Sequence, residues 1–124
     1  MLGFVAKKPE EKDQLPEEIE KGHSWYKLDG RRVVPIIDTL SPAIGETKRR
    51  RVFERAGDIV GECSVSTVFL GLNHAFGDNE IPILFETMIF GGEHDQSQWR
   101  CSCYKDAEIQ HQNALKLVKN IQKQ

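Results

Sequence analysis

Val65-Ser66-Thr67-Val68-Phe69-Leu70-Gly71-Leu72-Asn73-His74 decides how this chain folds. β-Branched and aromatic types fill its first half, the composition of a buried or half-buried strand. It closes on Gly71, Asn73 and His74, types foreign to a quiet hydrophobic strand, and a rigid strand that delivers polar groups to its tip is a common way to build a site. A second run of the same kind, Ile83-Leu84-Phe85-Glu86-Thr87-Met88-Ile89-Phe90-Gly91-Gly92, carries a carboxylate in its middle. Between them, Ala75 to Pro82 holds Gly77, Asp78 and Asn79 and reads as an exposed antiparallel connection.

Alternation sorts these runs into faces. In the first, Val65, Thr67, Phe69, Gly71 and Asn73 share one side, and Ser66, Val68, Leu70, Leu72 and His74 the other. In the second, Ile83, Phe85, Thr87 and Ile89 oppose Leu84, Glu86, Met88 and Phe90. Neither strand has a purely polar side, so the pair is expected at the centre of a sheet, with a helix on one face and another subunit on the other.

Further out, Trp25 to Leu28 and Arg31 to Ile37 flank Asp29-Gly30, a strong local hairpin signal. Pro35 cannot donate to a ladder, which places that strand at an edge or its end. Residues 38–47 read as a connection, 48–53 as a further strand, and Ala56-Gly57-Asp58 as a turn. After Gly92 come a polar loop and a short strand from Trp99 to Cys103. A closing helix from about Tyr104 to Ile121 has the apolar stripe Ala107, His111, Ala114, Leu115, Val118 and Ile121. Residues 7–24 are mostly charged or polar, and the stretch before the hairpin reads as a mobile or loosely docked arm, with Leu15 and Ile19 able to anchor one turn. The expectation is an α+β fold: a mainly antiparallel sheet with one packed C-terminal helix, residues 25–124 forming a single domain behind the charged N-terminal arm 1–24.

Composition narrows the function classes. A net charge of −2 is unlike a dedicated nucleic-acid binder. No apolar run nears the roughly 18 residues of a membrane span, and the first residues turn charged too soon for a signal peptide. Three cysteines suit a reducing cytoplasm better than a disulfide framework.

Among residues that carry chemistry, Glu86 lies between apolar neighbours, where a lone carboxylate is costly. It is either ion-paired, with Arg100 on the following strand as the natural partner, or part of a site. His74, Glu86, His94, Asp95 and His111 are metal-binding types without metal-binding spacing, so no metal and no cofactor are expected. His111 falls on the helix stripe as a core histidine hydrogen-bonded to the sheet. Cys101 and Cys103 lack a second pair to complete a zinc set, and cysteine nucleophilic chemistry is unsupported. Lys48 to Arg51, with Arg55 close behind, concentrate positive charge; such a run is usually a solvated face, but guanidinium forks also match phosphates. Gly71, Gly77, Gly91 and Gly92 allow close backbone approach to a ligand, and Phe76 or Phe90 offers a surface for stacking.

Together these residues resemble a group of small phage-encoded proteins. The quoted strand, the block Phe85-Glu86-Thr87-Met88-Ile89-Phe90-Gly91-Gly92, the Asp29-Gly30 hairpin with Val33-Val34-Pro35, and the Arg100 strand leading into Ala107-Glu108 and His111 carry the likeness. It covers roughly residues 25 to 118. The chain departs from that pattern at Asn73, where an Asp is usual, at Cys103, where a capping Thr is usual, and in a shortened segment over residues 38–47. The group is in turn similar to phage anti-defence proteins of the Thoeris "sponge" type, which implies a symmetric homo-oligomer that binds a cyclic ADP-ribose derivative or cyclic oligonucleotide without cleaving it.

The sequence thus predicts a cytoplasmic binding protein, in the host cell if phage-encoded, with a nucleotide-derived signal and its own copies as partners, and neither membrane nor nucleic acid. Arg51, Arg55 or Arg100 would pair phosphates, Phe76 or Phe90 would stack a base, and Asn73, His74 and Glu86 would contribute hydrogen bonds; no catalytic residue is assigned. The rival readings are a small hydrolase using His74 and Glu86, and a protein–protein inhibitor of a host factor.

Overall fold

The alternation read from the sequence carries directly into the sheet. In the computed structural model, the described residues are 12–38, 40, 50–53, 59–75, 77 and 79–122. Their strands are β1 (Tyr26–Asp29), β2 (Arg32–Pro35), β3 (Arg50–Val52), β4 (Ile59–Val60), β5 (Cys63–Phe69), β6 (Phe85–Phe90) and β7 (Gln98–Cys101), followed by one helix, α1 (Tyr104–Gln122). β1 and β2 form a two-stranded hairpin. The others form an antiparallel sheet in the order β3-β5-β6-β7, with β4 also pairing β5. This is the expected α+β fold with a mainly antiparallel sheet.

The central strand is shorter than the sequence run. It starts at Cys63 and ends at Phe69, because Gly71 adopts φ +75° and turns the chain out of the ladder. Leu72 then bridges Trp25, and the Tyr26 amide donates to the Gly71 carbonyl, so the Gly71–His74 tip ties the sheet to the first hairpin. In that hairpin the two-residue loop is Gly30-Arg31, one place later than expected, since Asp29 still pairs with Arg32. Gly30 at φ +62° and Arg31 outside the positive-φ region give the type II′ pattern that matches strand twist.

β5 and β6 bury Cys63, Val65, Thr67 and Phe69 with Phe85, Thr87 and Ile89 beneath α1. The helix supplies to this core the predicted stripe Ala107, His111, Ala114, Leu115 and Val118, together with Tyr104, which the stripe did not include; the Ile121 side chain lies outside the described set. Inside the apolar layer, Thr67 Oγ1 lies 2.7 Å from Thr87 Oγ1 and 2.7 Å from His111 Nδ1. The Leu70 amide bonds to Leu84 O, and alternation from there leaves Thr67 opposite Thr87 at a position without paired backbone bonds. There side chains stand closest across the ladder.

Residues 12–24 are docked rather than loose. Ile19 is 2% exposed in the core, and the Gln14 amide bonds Val33 in both directions at 3.0 and 2.8 Å. Arg31 clamps this segment to the helix: its Nη2 reaches Asp13 at 3.2 Å and Glu108 at 3.3 Å, and its guanidinium lies 4.5 Å above the Tyr104 ring. Most of the connection over 38–47 and the turn at residues 56–58 fall outside the described residues.

Candidate functional site

Directly opposed residues of an antiparallel ladder share a face. Arg51 opposes Val68, Val68 opposes Glu86, and Glu86 opposes Arg100. One row therefore crosses the sheet on the side away from α1, spanning about 14 Å at ordinary strand spacing. Ser66, Met88 and Gln98 form the next row, and Ile59, Ser64 and Phe90 the one beyond. Val68 and Met88 are half-buried, whereas Ile59 and Phe90 (45% exposed) stand open to solvent.

The carboxylate in the middle of this face is ion-paired. Arg100 Nε donates to Glu86 Oε2 at 2.9 Å, with the glutamate 4% and the arginine 39% exposed. Ile89 N–H donates to Ser97 O, so by alternation Glu86 and Arg100 also fall where cross-strand side chains approach most closely. The pair satisfies a buried charge and still leaves an arginine side chain at the surface. Arg51, exposed, closes the opposite end of the row.

The strand tip does different work. Asn73 Oδ1 accepts from the amides of Ala75 (2.8 Å) and Ile83 (3.1 Å), while its Nδ2 donates to the His23 carbonyl at 3.4 Å. The last contact needs an N–H donor, which an aspartate at this position would lack. His74 is half-buried, with its amide bonded to Ile83 O at 3.0 Å. Glu86 lies three residues beyond Ile83, so the His74 and Glu86 backbones stand about 10 Å apart. Beside the tip, Gly22, His23, Ser24, Leu72, Asn73, Ala75 and Gly77 line a polar pocket of about 140 Å³.

Of the sequence candidates, the fold brings Arg51, Glu86, Arg100 and Phe90 onto one face and sets Asn73 and His74 beyond its end. Arg55 and Phe76 lie outside the described residues. Two glycines expected to admit a ligand instead admit backbone and sulfur: a Cβ on Gly91 would fall 2.2 Å from Glu62 O, and one on Gly92 2.4 Å from Cys63 Sγ. The Gly91 N–H is already bonded to Asp95 Oδ1 at 2.6 Å. Met88 and Gln98 join the face although neither was singled out; alternation from Glu86 carried that signal for Met88.

Nucleophilic chemistry finds little support. Burial pushes the Cys103 thiol up to about 11, and burial pushes that of Cys101 higher still, so both are neutral thiols near pH 7. Among the described residues no three His, Cys, Asp or Glu side chains gather as a metal set. No described helix is long and apolar enough to cross a membrane. Compared with protein-family models, curated proteins and solved structures, the chain has no match.

Proposed function

We propose that this chain is a binding protein without catalytic chemistry, which holds a phosphorylated nucleotide signal on the open face of its sheet. The observation that carries the reading is the row Arg51–Val68–Glu86–Arg100, with cationic side chains at both ends of a face that also displays Met88 and Phe90. Guanidinium forks at such separation suit a ligand with more than one anionic group. Phe90, about 13 Å along β6 from Glu86, suits a base at the far end of a large ligand. The motif resemblance supports a cyclic ADP-ribose derivative or cyclic oligonucleotide as the ligand, the anti-defence role, and assembly into a homo-oligomer. The protein would then act in the cytoplasm of an infected host cell, and sequestration requires no cofactor.

The hydrolase reading has less behind it, since His74 and Glu86 are separated and Glu86 is occupied by Arg100. Titration calorimetry of the full chain with cyclic ADP-ribose derivatives and cyclic di- and trinucleotides tests the proposal. Heat with one of these, reduced about tenfold or more in affinity by Arg100→Ala or Arg51→Ala, is expected. A folded protein that gives no heat with any of them contradicts it.

A further inference from the structure

Arg31 and Arg100 are both bonded to carboxylates, and they differ in what the bond leaves open. Arg31 commits Nη2 to Asp13 and Glu108 and is 6% exposed, so its guanidinium is closed inside the clamp. Arg100 commits Nε to Glu86 and keeps its side chain at the surface. A guanidinium has two edges that can grip a pair of oxygens, the Nε side and the Nη1–Nη2 end. Among the described residues nothing is bonded to Nη1 or Nη2 of Arg100, so the end edge stands open.

Glu86 is too deeply buried to serve a ligand as the sequence expects, and its surroundings suit it to a different task. It opposes Val68 on one side and Arg100 on the other, so its backbone is held between two strands. The Arg100 carbonyl is itself held from α1 by Gln110 Nε2 at 3.0 Å. Arg100 is thus fixed at its backbone and again at Nε, and a long side chain has lost much of its rotamer freedom before any ligand arrives. We propose that Glu86 is a positioning residue, which turns the Nη1–Nη2 edge of Arg100 into an anchor for one oxyanion with two equivalent oxygens. A phosphodiester and a carboxylate both offer that pair. The inference rests on the reading of the open face as the binding face and gives that face its first fixed contact. Charge alone predicts the opposite sign for Glu86. Its carboxylate offsets the arginine's field, so an electrostatic role means tighter anion binding once the carboxylate is gone. Positioning means weaker binding when the Nε bond is lost, and binding kept when an uncharged acceptor preserves the bond.

The test is nitrogen-15 NMR of the full chain, read at the Arg100 Nε–H and the β6 and β7 amides. Sodium dimethyl phosphate and sodium acetate are titrated separately against sodium chloride at equal ionic strength. A saturable shift with at least one of the two anions is expected, and the tighter one names the source of the oxygens. Glu86→Gln, which keeps an acceptor for Nε, should bind at least as well as the wild type. Glu86→Met, which fills the volume without that acceptor, should weaken binding about fivefold or more while the helical circular dichroism is kept. Should Glu86→Met fail to fold, two measurements still decide. Arg100→Lys, which keeps the charge and loses the fork, should weaken binding by a similar factor, and the wild-type Arg100 Nε–H signal should stay sharp at neutral pH. No saturable shift with either anion overturns the proposal, as does unchanged or tighter binding by Glu86→Met. Neither probe is a nucleotide, so a saturable shift without heat from any cyclic nucleotide upholds the anchor and contradicts only the nucleotide reading.

Discussion

Thr67, Thr87 and His111 form a polar triad inside an otherwise apolar layer, with both oxygen and nitrogen contacts at 2.7 Å. Buried polar groups of this kind specify one packing arrangement, because misaligned alternatives forfeit their hydrogen bonds. Thr67→Val withdraws the hydroxyl that serves both neighbours and is expected to cost about 1–3 kcal/mol in a denaturant melt. The double variant Thr67→Val/Thr87→Val should cost less than the two single losses summed, which a double-mutant cycle reads directly. A different residue limits stability by backbone strain. Gln96 sits at φ +68°, its amide bonded to Ile89 O while Ile89 N–H bonds to Ser97 O, the pattern of a bulge that usually places glycine there. Gln96→Gly should raise stability by about 0.5–1 kcal/mol, seen as a higher melting temperature with the same fold.

At the scale of elements, legibility followed periodicity. β5 and β6 each carry an alternation that fixes their faces, and α1 carries its stripe at steps of three and four, so all three were readable from the chain. The Glu86–Arg100 pair was readable too, since a carboxylate inside an apolar run demands a partner and the next strand holds an arginine. Where the run Val65–His74 would stop being a strand was hidden, because Gly71 leaves the ladder only once Trp25 and Tyr26 are there to receive the chain. Arg31 was equally opaque: its clamp on Asp13, Glu108 and Tyr104 joins segments far apart in sequence, and a charged residue beside Arg32 gives no hint that one of the two is buried.

The start of α1 makes its own prediction. Cys103 faces the amides of Lys105 and Asp106 and accepts Ala107 N–H at its carbonyl at 3.1 Å, the position of a helix cap. Burial raises its thiol from 9.0 to about 11. A group whose folded pKa is raised favours the fold while protonated, so this contribution is complete below pH 9 and lost as pH rises through about 11. Denaturant melts should therefore hold a plateau through neutral pH and fall above about pH 9, where the raised Cys101 thiol and Tyr26 phenol add to the loss, and Cys103→Ser should reduce the fall between pH 9 and about 11 without abolishing it.

Among the described residues, the helix covers one side of the sheet, and the other side carries Arg51, Glu86, Arg100, Met88 and Phe90. That division was only half visible beforehand. Two-sided strands predicted that both faces mattered, but which candidates would share a face depended on the cross-strand register, which sets Asn73 and His74 beyond the end of this face, with the Asn73 side chain bonded to the Ala75 and Ile83 amides. On the proposed function, this face binds a nucleotide signal and returns it unchanged. The direct measurement incubates the full chain with a cyclic nucleotide that gives calorimetric heat, removes unbound ligand by ultrafiltration, releases the remainder by heating and resolves it by chromatography with mass detection. Stoichiometric recovery of the intact nucleotide is expected from the wild type, and its loss from the retained fraction with Arg100→Ala. Hydrolysed or rearranged products accumulating with time, or equal retention by Arg100→Ala, would contradict it.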